Sequence, residues 1–191
     1  LLPTDLLPGA ALLRVENGAG TAIYAGALGA RSEVRSCDEL CLPAPANTGG
    51  MPIDSVVSTV AEAGGQVCVL LAPGLAEAYA AARALTEADA PLRAHPLLRM
   101  ALRALGVSVP APRDSVAAGE AVLWPFDRRH DRALARMPRT RSLVLGPASA
   151  APKAMADYAR ATGASRVVVA GPHAAALASR LASEGITARP V

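Results

Sequence analysis

Six arginines lie within fourteen residues of the chain, a density of cationic side chains that could bind phosphate groups. They are Arg128, Arg129, Arg132, Arg136, Arg139 and Arg141. In the helix predicted over residues 127–136, the arginines at positions 128 or 129, 132 and 136 would line one face. Such a stripe can follow a phosphate backbone, so nucleic acid is one expected partner. The alternative is a solvated charged face in which Asp127 and Asp131 are the ion-pair partners.

The histidines and cysteines do not form the pattern of a metal site or of a nucleophile with its base. The three histidines are far apart, at His95, His130 and His173. We expect His95 and His130 at the surface. Cys37 and Cys41 are expected to share a face of a predicted strand, but two cysteines cannot complete a tetrahedral zinc site, which takes four ligands. The cysteines are therefore interpreted as core thiols.

Three turns of glycine and proline follow predicted strands and precede predicted helices: Pro73-Gly74, Gly146-Pro147 and Gly171-Pro172. The free N–H groups and the dipole of a helix N-terminus can bind phosphate, which would make the chain a small nucleotide-binding module. None of these turns has the spacing of a phosphate-binding loop or of a dinucleotide fold. Proline also removes an N–H donor. We interpret the turns as strand terminators and keep nucleotide binding as an alternative.

Short apolar runs and helical periodicity predict the elements that would position these residues. Strands are predicted at 11–15, 21–25, 40–42, 67–71, 92–94, 121–124, 142–145, 166–170 and 186–191. Helices are predicted at 54–63, 75–85, 97–105, 127–136, 151–162 and 174–183. Asn17-Gly18 between the first two strands is a strong hairpin signal. The alternation of strand and helix over the last fifty residues implies a parallel α/β layer.

The composition is that of a globular protein with a core of small and branched side chains. Hydrophobic residues make up 52% of the chain and aromatic residues only 3%, so alanine, valine and leucine must build the core. The net charge of +3 permits an acidic partner without requiring one. Three cysteines and no signal-peptide pattern predict a cytoplasmic protein. No apolar run approaches the roughly 20 residues of a membrane helix, so no membrane partner is expected. Because Leu1 is not Met, we expect that residues upstream are missing or were removed.

The C-terminal stretch resembles the metallo-β-lactamase-fold nucleases of the β-CASP kind, above all the exonucleases associated with bacterial ATP-dependent DNA ligases. Those proteins end in a strand closing in Leu-Ser-Asp-His-Ala-Asp, a helix ending in Thr-Gly-Ala, a strand closing in Thr-His-Gly, and a helix ending in Glu-Gly or Gln-Gly. The similar frame here is LVL at 143–145, ATGA at 161–164, RVVV at 166–169 and SEG at 183–185. The family's earlier hairpin and strand are similar to PGAA at 8–11, IYAG at 23–26 and CDELCLP at 37–43.

The metal-binding residues that the resemblance implies are replaced. Asp5 and Ala148 stand at histidine positions, Ala27 at the metal-bridging aspartate, and Gly171 at a further histidine. A dinuclear site needs the bridging carboxylate to hold two zinc ions about 3.5–4 Å apart. The resemblance thus implies a non-catalytic interaction or scaffold protein in nucleic-acid processing or DNA repair, with no cofactor. Its implied partner is an active relative or a DNA ligase. The alternative is part of a zinc-dependent DNA or RNA exonuclease whose catalytic half is missing from this chain.

The order of matches also implies a division of the chain. Residues 1–50 would form the hairpin and strand of a metallo-β-lactamase-like layer, 51–118 a β-CASP-like insert, and 119–191 a C-terminal βαβαβ segment. The expected fold class is α/β, a partial or degenerate metallo-β-lactamase-type αββα layer with a short β-CASP-like α/β insert. The strands at 11–15, 21–25, 40–42, 121–123, 142–145 and 166–169 should lie in one main layer, and 67–71 in the insert.

Overall fold

The computed structural model describes the backbone of residues 2–3 and residues 10–25, 28, 32–44, 49–112, 117, 119–137, 140–148 and 152–191. The chain divides into two compact units. Unit 1 comprises Leu1–Ala46 and Ser149–Val191, and unit 2 comprises Asn47–Ala148. Both ends of the chain therefore belong to one unit, and the middle of the chain forms the other.

The described residues form ten strands and six helices of mixed α/β class. The strands are β1 (Leu2–Pro3), β2 (Ala11–Asn17), β3 (Gly20–Tyr24), β4 (Glu39–Pro43), β5 (Val67–Ala72), β6 (Leu92–Ala94), β7 (Ala121–Pro125), β8 (Thr140–Val144), β9 (Arg166–Ala170) and β10 (Ala188–Pro190). The helices are α1 (Val56–Ala61), α2 (Leu75–Glu87), α3 (Pro96–Ala104), α4 (Arg132–Ala135), α5 (Pro152–Thr162) and α6 (Ala174–Ser183). Two 3-10 turns, Ile53–Ser55 and Phe126–Arg128, precede α1 and α4. No helix in the described ranges has the length and apolar character needed to cross a membrane.

Unit 1 is built on a six-stranded sheet in the order β1-β2-β3-β4-β9-β10. β2 and β3 form the hairpin predicted around Asn17-Gly18, and it is confirmed by the antiparallel pairing of Asn17 with Gly20. The Asn17 side-chain oxygen accepts a hydrogen bond from the Ala19 N–H at 2.9 Å, which closes the turn. From β3 to β10 the neighbouring strands run parallel.

Helices α5 and α6 cover one face of this sheet. Strand residues on that face and residues of both helices form a continuous buried core that includes Leu12, Ile23, Leu40, Leu42, Val167, Val169, Met155, Leu177 and Leu181. Tyr158 lies in this core as well, and its hydroxyl donates to the Glu33 carbonyl at 2.9 Å. Because alternate residues of a strand point to opposite faces, the neighbours of these strand residues lie on the face away from the helices.

Unit 2 is built on a four-stranded parallel sheet in the order β6-β7-β5-β8. All six residues of β5 are buried, as expected for a parallel strand covered on both faces. On one face Val67, Val69 and Trp124 pack with Leu134 and Met137. The unit's longest helix is α2, whose buried side is mostly alanine and ends in Leu85.

The predicted placement of two strands in the main layer is wrong. The strands predicted at 121–123 and 142–145 are β7 and β8, and they flank β5 in unit 2. Val69 of β5 lies between Val122 on one side and Ser142 on the other. The three segments are short apolar runs of the same kind, so local pattern predicted the strands correctly but did not encode which sheet each would join.

The prediction of a single helix over residues 127–136 is also wrong. The segment forms the 3-10 turn Phe126–Arg128 and, after a break, the four-residue α4. The indole N–H of Trp124 donates to the Arg128 carbonyl at 2.9 Å. The Asp131 N–H donates to the same carbonyl at 3.0 Å. An α-helix would need this carbonyl for the N–H of Arg132, so these contacts end the first turn.

Candidate interaction surface

The face of the unit 1 sheet that points away from α5 and α6 carries exposed apolar side chains. We call it the open face and define it by two rows of neighbours across β2, β3, β4 and β9. One row is Leu13, Tyr24, Cys41 and Val168, and the other is Val15, Ala22, Glu39 and Arg166. Exposure is 47% for Leu13, 48% for Val15 and 49% for Tyr24. Three large apolar side chains are therefore adjacent and half-exposed, a feature typical of interaction sites.

A cleft of about 470 Å³ adjoins this face where the hairpin meets the first residues of β4 and β9. Val15 and Ala22 contribute to its lining, together with Asp38, Glu39 and Arg166. Its charges are paired within the chain, because Glu39 forms an ion pair with Arg166. The Asp38 carboxylate accepts a hydrogen bond from the Thr21 N–H at 2.7 Å. The cleft thus continues the open face as a polar margin.

The sequence analysis did not identify the open face, because it assigned both hairpin strands to the main layer without asking which of their side chains are exposed. A signal was present. Leu12 and Leu13 are consecutive, and so are Ile23 and Tyr24, so both faces of this hairpin carry large apolar residues. An antiparallel hairpin with one solvated face normally alternates apolar with polar residues. Such a two-sided pattern indicates either a second covering layer or an exposed apolar surface.

The six arginines of the predicted stripe do not share one helical face. Those at 128, 132, 136 and 141 are exposed, and they lie on the 3-10 turn, on α4, after α4 and on β8. Arg139 lies outside the described residues. The Arg129 guanidinium stacks on Phe126, 4.4 Å from its ring centroid. No ion pair with a carboxylate is formed by Arg132, Arg136 or Arg141 in the described part of the chain.

Of the four positions at which the resemblance would place metal ligands, the structure describes two, Ala148 and Gly171. Asp5 and Ala27 lie outside the described residues. Ala148 donates its N–H to the Glu77 carboxylate at 3.1 Å. Gly171 has a φ of +122°, and a Cβ there would lie 3.0 Å from the Ala44 carbonyl oxygen. Within the described ranges, no three or more His, Cys, Asp or Glu residues are grouped to hold a metal ion.

The surroundings of the three cysteines favour the protonated thiol. Cys37 precedes β4 and is buried in the unit 1 core, whereas Cys41 lies on the open face. The prediction that these two share a face is therefore wrong. Burial raises the pKa of the Cys37, Cys41 and Cys68 thiols, which disfavours the thiolate that a nucleophile or a metal ligand requires.

The glycine–proline turns have structural roles. At the start of α2, Glu77 lies in the first turn, and its carboxylate is close to Gly74 and accepts from the Ala148 N–H. A negative side chain therefore already lies where a phosphate would bind. The Gly146 N–H donates to the Met51 carbonyl at 2.7 Å, which ties the end of β8 to a neighbouring segment.

His95 is half-buried rather than on the surface as predicted. Its ring meets Trp124 edge-on, with centroids 4.5 Å apart, and its Nδ1 accepts from the Leu97 N–H at 3.3 Å. Burial lowers the pKa of His95. Asp131 opposes this shift, while Arg128 adds to it and Asp127 opposes it to a smaller extent. The ring is therefore a neutral cap of α3 at pH 7.

No protein-family model matches the sequence, and no curated protein matches it. One solved structure to which the chain is similar is a crystal structure of a protein of unknown function from Enterococcus faecalis V583. The sequence identity is 12% and the TM-score is 0.40, over 99% of this chain and 50% of that chain. This chain thus spans about half the length of that protein. At this TM-score the likeness carries no argument about fold or function.

Proposed function

We propose that the chain is a non-catalytic interaction module, a degenerate relative of the metallo-β-lactamase/β-CASP exonucleases that binds a protein partner in nucleic-acid processing or DNA repair. The observation that carries this proposal is the open face, where Leu13, Val15 and Tyr24 are each about half-exposed. The exposed arginines of unit 2 support a setting in which nucleic acid is nearby. The proposed partner is an active relative or a DNA ligase, and the proposed location is the cytoplasm.

The open face can supply useful binding free energy. Full burial of a large apolar side chain contributes about 1.5–3 kcal/mol, so covering the exposed half of one contributes about 1 kcal/mol. Leu13, Val15 and Tyr24 together would then contribute about 3 kcal/mol, which is roughly a hundredfold in Kd. The Glu39–Arg166 pair at the margin adds orientation more than affinity, because it is already satisfied within the chain.

Crosslinking from the open face tests the proposal. The photo-reactive residue p-benzoyl-phenylalanine replaces Tyr24 in one variant. In a control variant it replaces Val34, which is 45% exposed and lies outside the open face. Each variant is irradiated with the purified DNA ligase or active relative of the same organism. A 1:1 adduct from position 24 alone is expected. No adduct with either protein, or equal adducts from both positions, would contradict the proposal.

A second candidate function is the metal-independent half of a zinc-dependent DNA or RNA exonuclease. The open face favours it specifically. Two β-sheets that pack face to face lie about 10 Å apart and bury such rows of side chains between them. The partner would then be a polypeptide that supplies the second sheet and the zinc ligands. The reading frame upstream of Leu1 tests this directly, since a His-x-His-x-Asp-His loop encoded there would be the missing ligand set.

The two candidates differ in a measurable metal content. The first expects no stoichiometric zinc in the chain, alone or with its partner, and no nuclease activity on addition of zinc or manganese. The second expects about two zinc ions per complex and exonuclease activity only when both polypeptides are present. Tyr24→Asp should abolish that activity by separating the sheets, whereas Val34→Asp should not.

A further inference from the structure

Helix α3 of unit 2 presents an apolar strip to solvent. Leu102 is the buried residue of this nine-residue helix. Leu97 is 49% exposed and Met100 is 64% exposed, and Ala104 is exposed as well. These three residues are spaced three and four apart, so they lie on one side of the helix. We call them the α3 strip.

A basic edge runs beside this strip. Arg99 and Arg103 are exposed and lie one helical turn apart. At 100° per residue, both project next to Met100 and on the side away from Leu97. Neither arginine forms an ion pair with a carboxylate in the described part of the chain. The solvent side of α3 is thus divided lengthwise into an apolar half and a cationic half.

The geometry points to a second docking surface, in which the α3 strip binds an amphipathic helix of a partner protein with acidic residues along one edge. A helix fits because residues three and four apart form ridges that pack into the grooves of another helix. Acidic residues fit because they would neutralise Arg99 and Arg103. A second copy of α3 fits less well, since it offers no carboxylate to Arg99 or Arg103 and, packed antiparallel, would bring four arginines together. This surface lies in unit 2, so the proposal does not rest on the open face.

Reversing the charge of a peptide probe and of the two α3 arginines tests the proposal. The probe is a fluorescent fifteen-residue helical peptide with leucine at every third or fourth position and glutamate along one edge. A second peptide has lysine at each glutamate position. Fluorescence anisotropy measures the binding of each peptide to the full chain. We expect the acidic peptide to bind about tenfold or more tightly than the basic one, and Arg99→Glu/Arg103→Glu to reverse this order.

Two controls locate the binding. Arg180→Glu, in the last turn of α6, changes an exposed helical arginine elsewhere and should leave both affinities unchanged. Met100→Glu should weaken binding of the acidic peptide. NMR of the unaltered chain provides a test that does not depend on the folding of a variant. Addition of the acidic peptide should shift the backbone amide resonances of α3.

Three outcomes would overturn the proposal. The first is equal binding of the two peptides, and the second is a preference that survives charge reversal at Arg99 and Arg103. The third is binding of the chain to vesicles of anionic phosphatidylglycerol through Met100 with no binding of either peptide. That last result would assign the α3 strip to a membrane surface instead.

Discussion

Leu12 and Leu13 are consecutive residues of β2 whose replacement should destabilise the chain to very different extents. Leu12 is 0% exposed and Leu13 is 47% exposed. Replacing leucine by alanine removes three carbon atoms, and each buried CH₂ contributes about 0.8 kcal/mol. Leu12→Ala therefore loses about 2.4 kcal/mol of transfer free energy plus a cavity term, about 3–4 kcal/mol in all. Leu13→Ala should lose about half of the transfer term, about 1 kcal/mol, and leave no cavity.

Urea unfolding of the two variants measures this difference. Circular dichroism at 222 nm follows the helices of both units, whereas fluorescence of Trp124 reports on unit 2 alone because it is the one tryptophan of the chain. Both substitutions should act on the dichroism transition of unit 1, and the two free energies of unfolding should differ by about 2–3 kcal/mol. Equal destabilisation by Leu12→Ala and Leu13→Ala would show that the open face is covered in the isolated chain, and would refute the interaction surface.

Three further outcomes are expected. Replacing Arg129, Arg132 and Arg136 by alanine should weaken nucleic-acid binding. It should also reduce the slope of log K against log salt concentration by about 0.7–0.9 per lost phosphate contact. An unchanged slope in a salt titration would show that these arginines are a solvated surface. Burial lowers the pKa of His95 in the folded chain, so its contribution to stability should be complete above about pH 6.5 and be lost as pH falls from that value toward the folded pKa. NMR titration of the ring measures the pKa. Unfolding at pH 5 and pH 7 checks the sign of the stability change. Gly20→Ala should destabilise unit 1 by more than about 1 kcal/mol, since φ is +145° and a Cβ would lie 2.6 Å from Asp38 Oδ2. A Cβ at Gly18 would meet nothing within 4 Å, so Gly18→Ala should lower the midpoint of thermal unfolding by less than Gly20→Ala does.

Elements defined by local signals could be predicted from the sequence. Asn17-Gly18 predicted the β2–β3 hairpin, and the apolar run before Pro73 predicted β5. The partners of the strands could not be predicted in the same way. β7 and β8 join β5 through backbone hydrogen bonds that any apolar run can form, so their sheet is set by the packing of whole units. The hydrogen bond from the Trp124 indole to the Arg128 carbonyl is a local side-chain contact that helical periodicity does not reveal.

The candidate surface shows the same limit. Residue types alone show that Ala148 and Gly171 offer no side-chain ligand to a metal ion. Exposure could not be predicted, since the apolar residues on both faces of the hairpin fit a second covering layer as well as an exposed surface, and leucine is usually buried. Only the register of β2, β3, β4 and β9, with α5 and α6 on the other side, places these side chains in solvent.

Hydroxyl-radical footprinting of the three tyrosines tests the central claim most directly. Tyr24 is 49% exposed, whereas Tyr79 is 8% and Tyr158 is 7% exposed, so the last two serve as internal references. In the isolated chain Tyr24 should be oxidised much faster than the other two. In a complex with the proposed partner, a DNA ligase or an active relative, Tyr24 should become protected while the references stay unchanged. A stable complex in which Tyr24 is oxidised as fast as in the free chain would contradict the proposal that the open face is the binding surface.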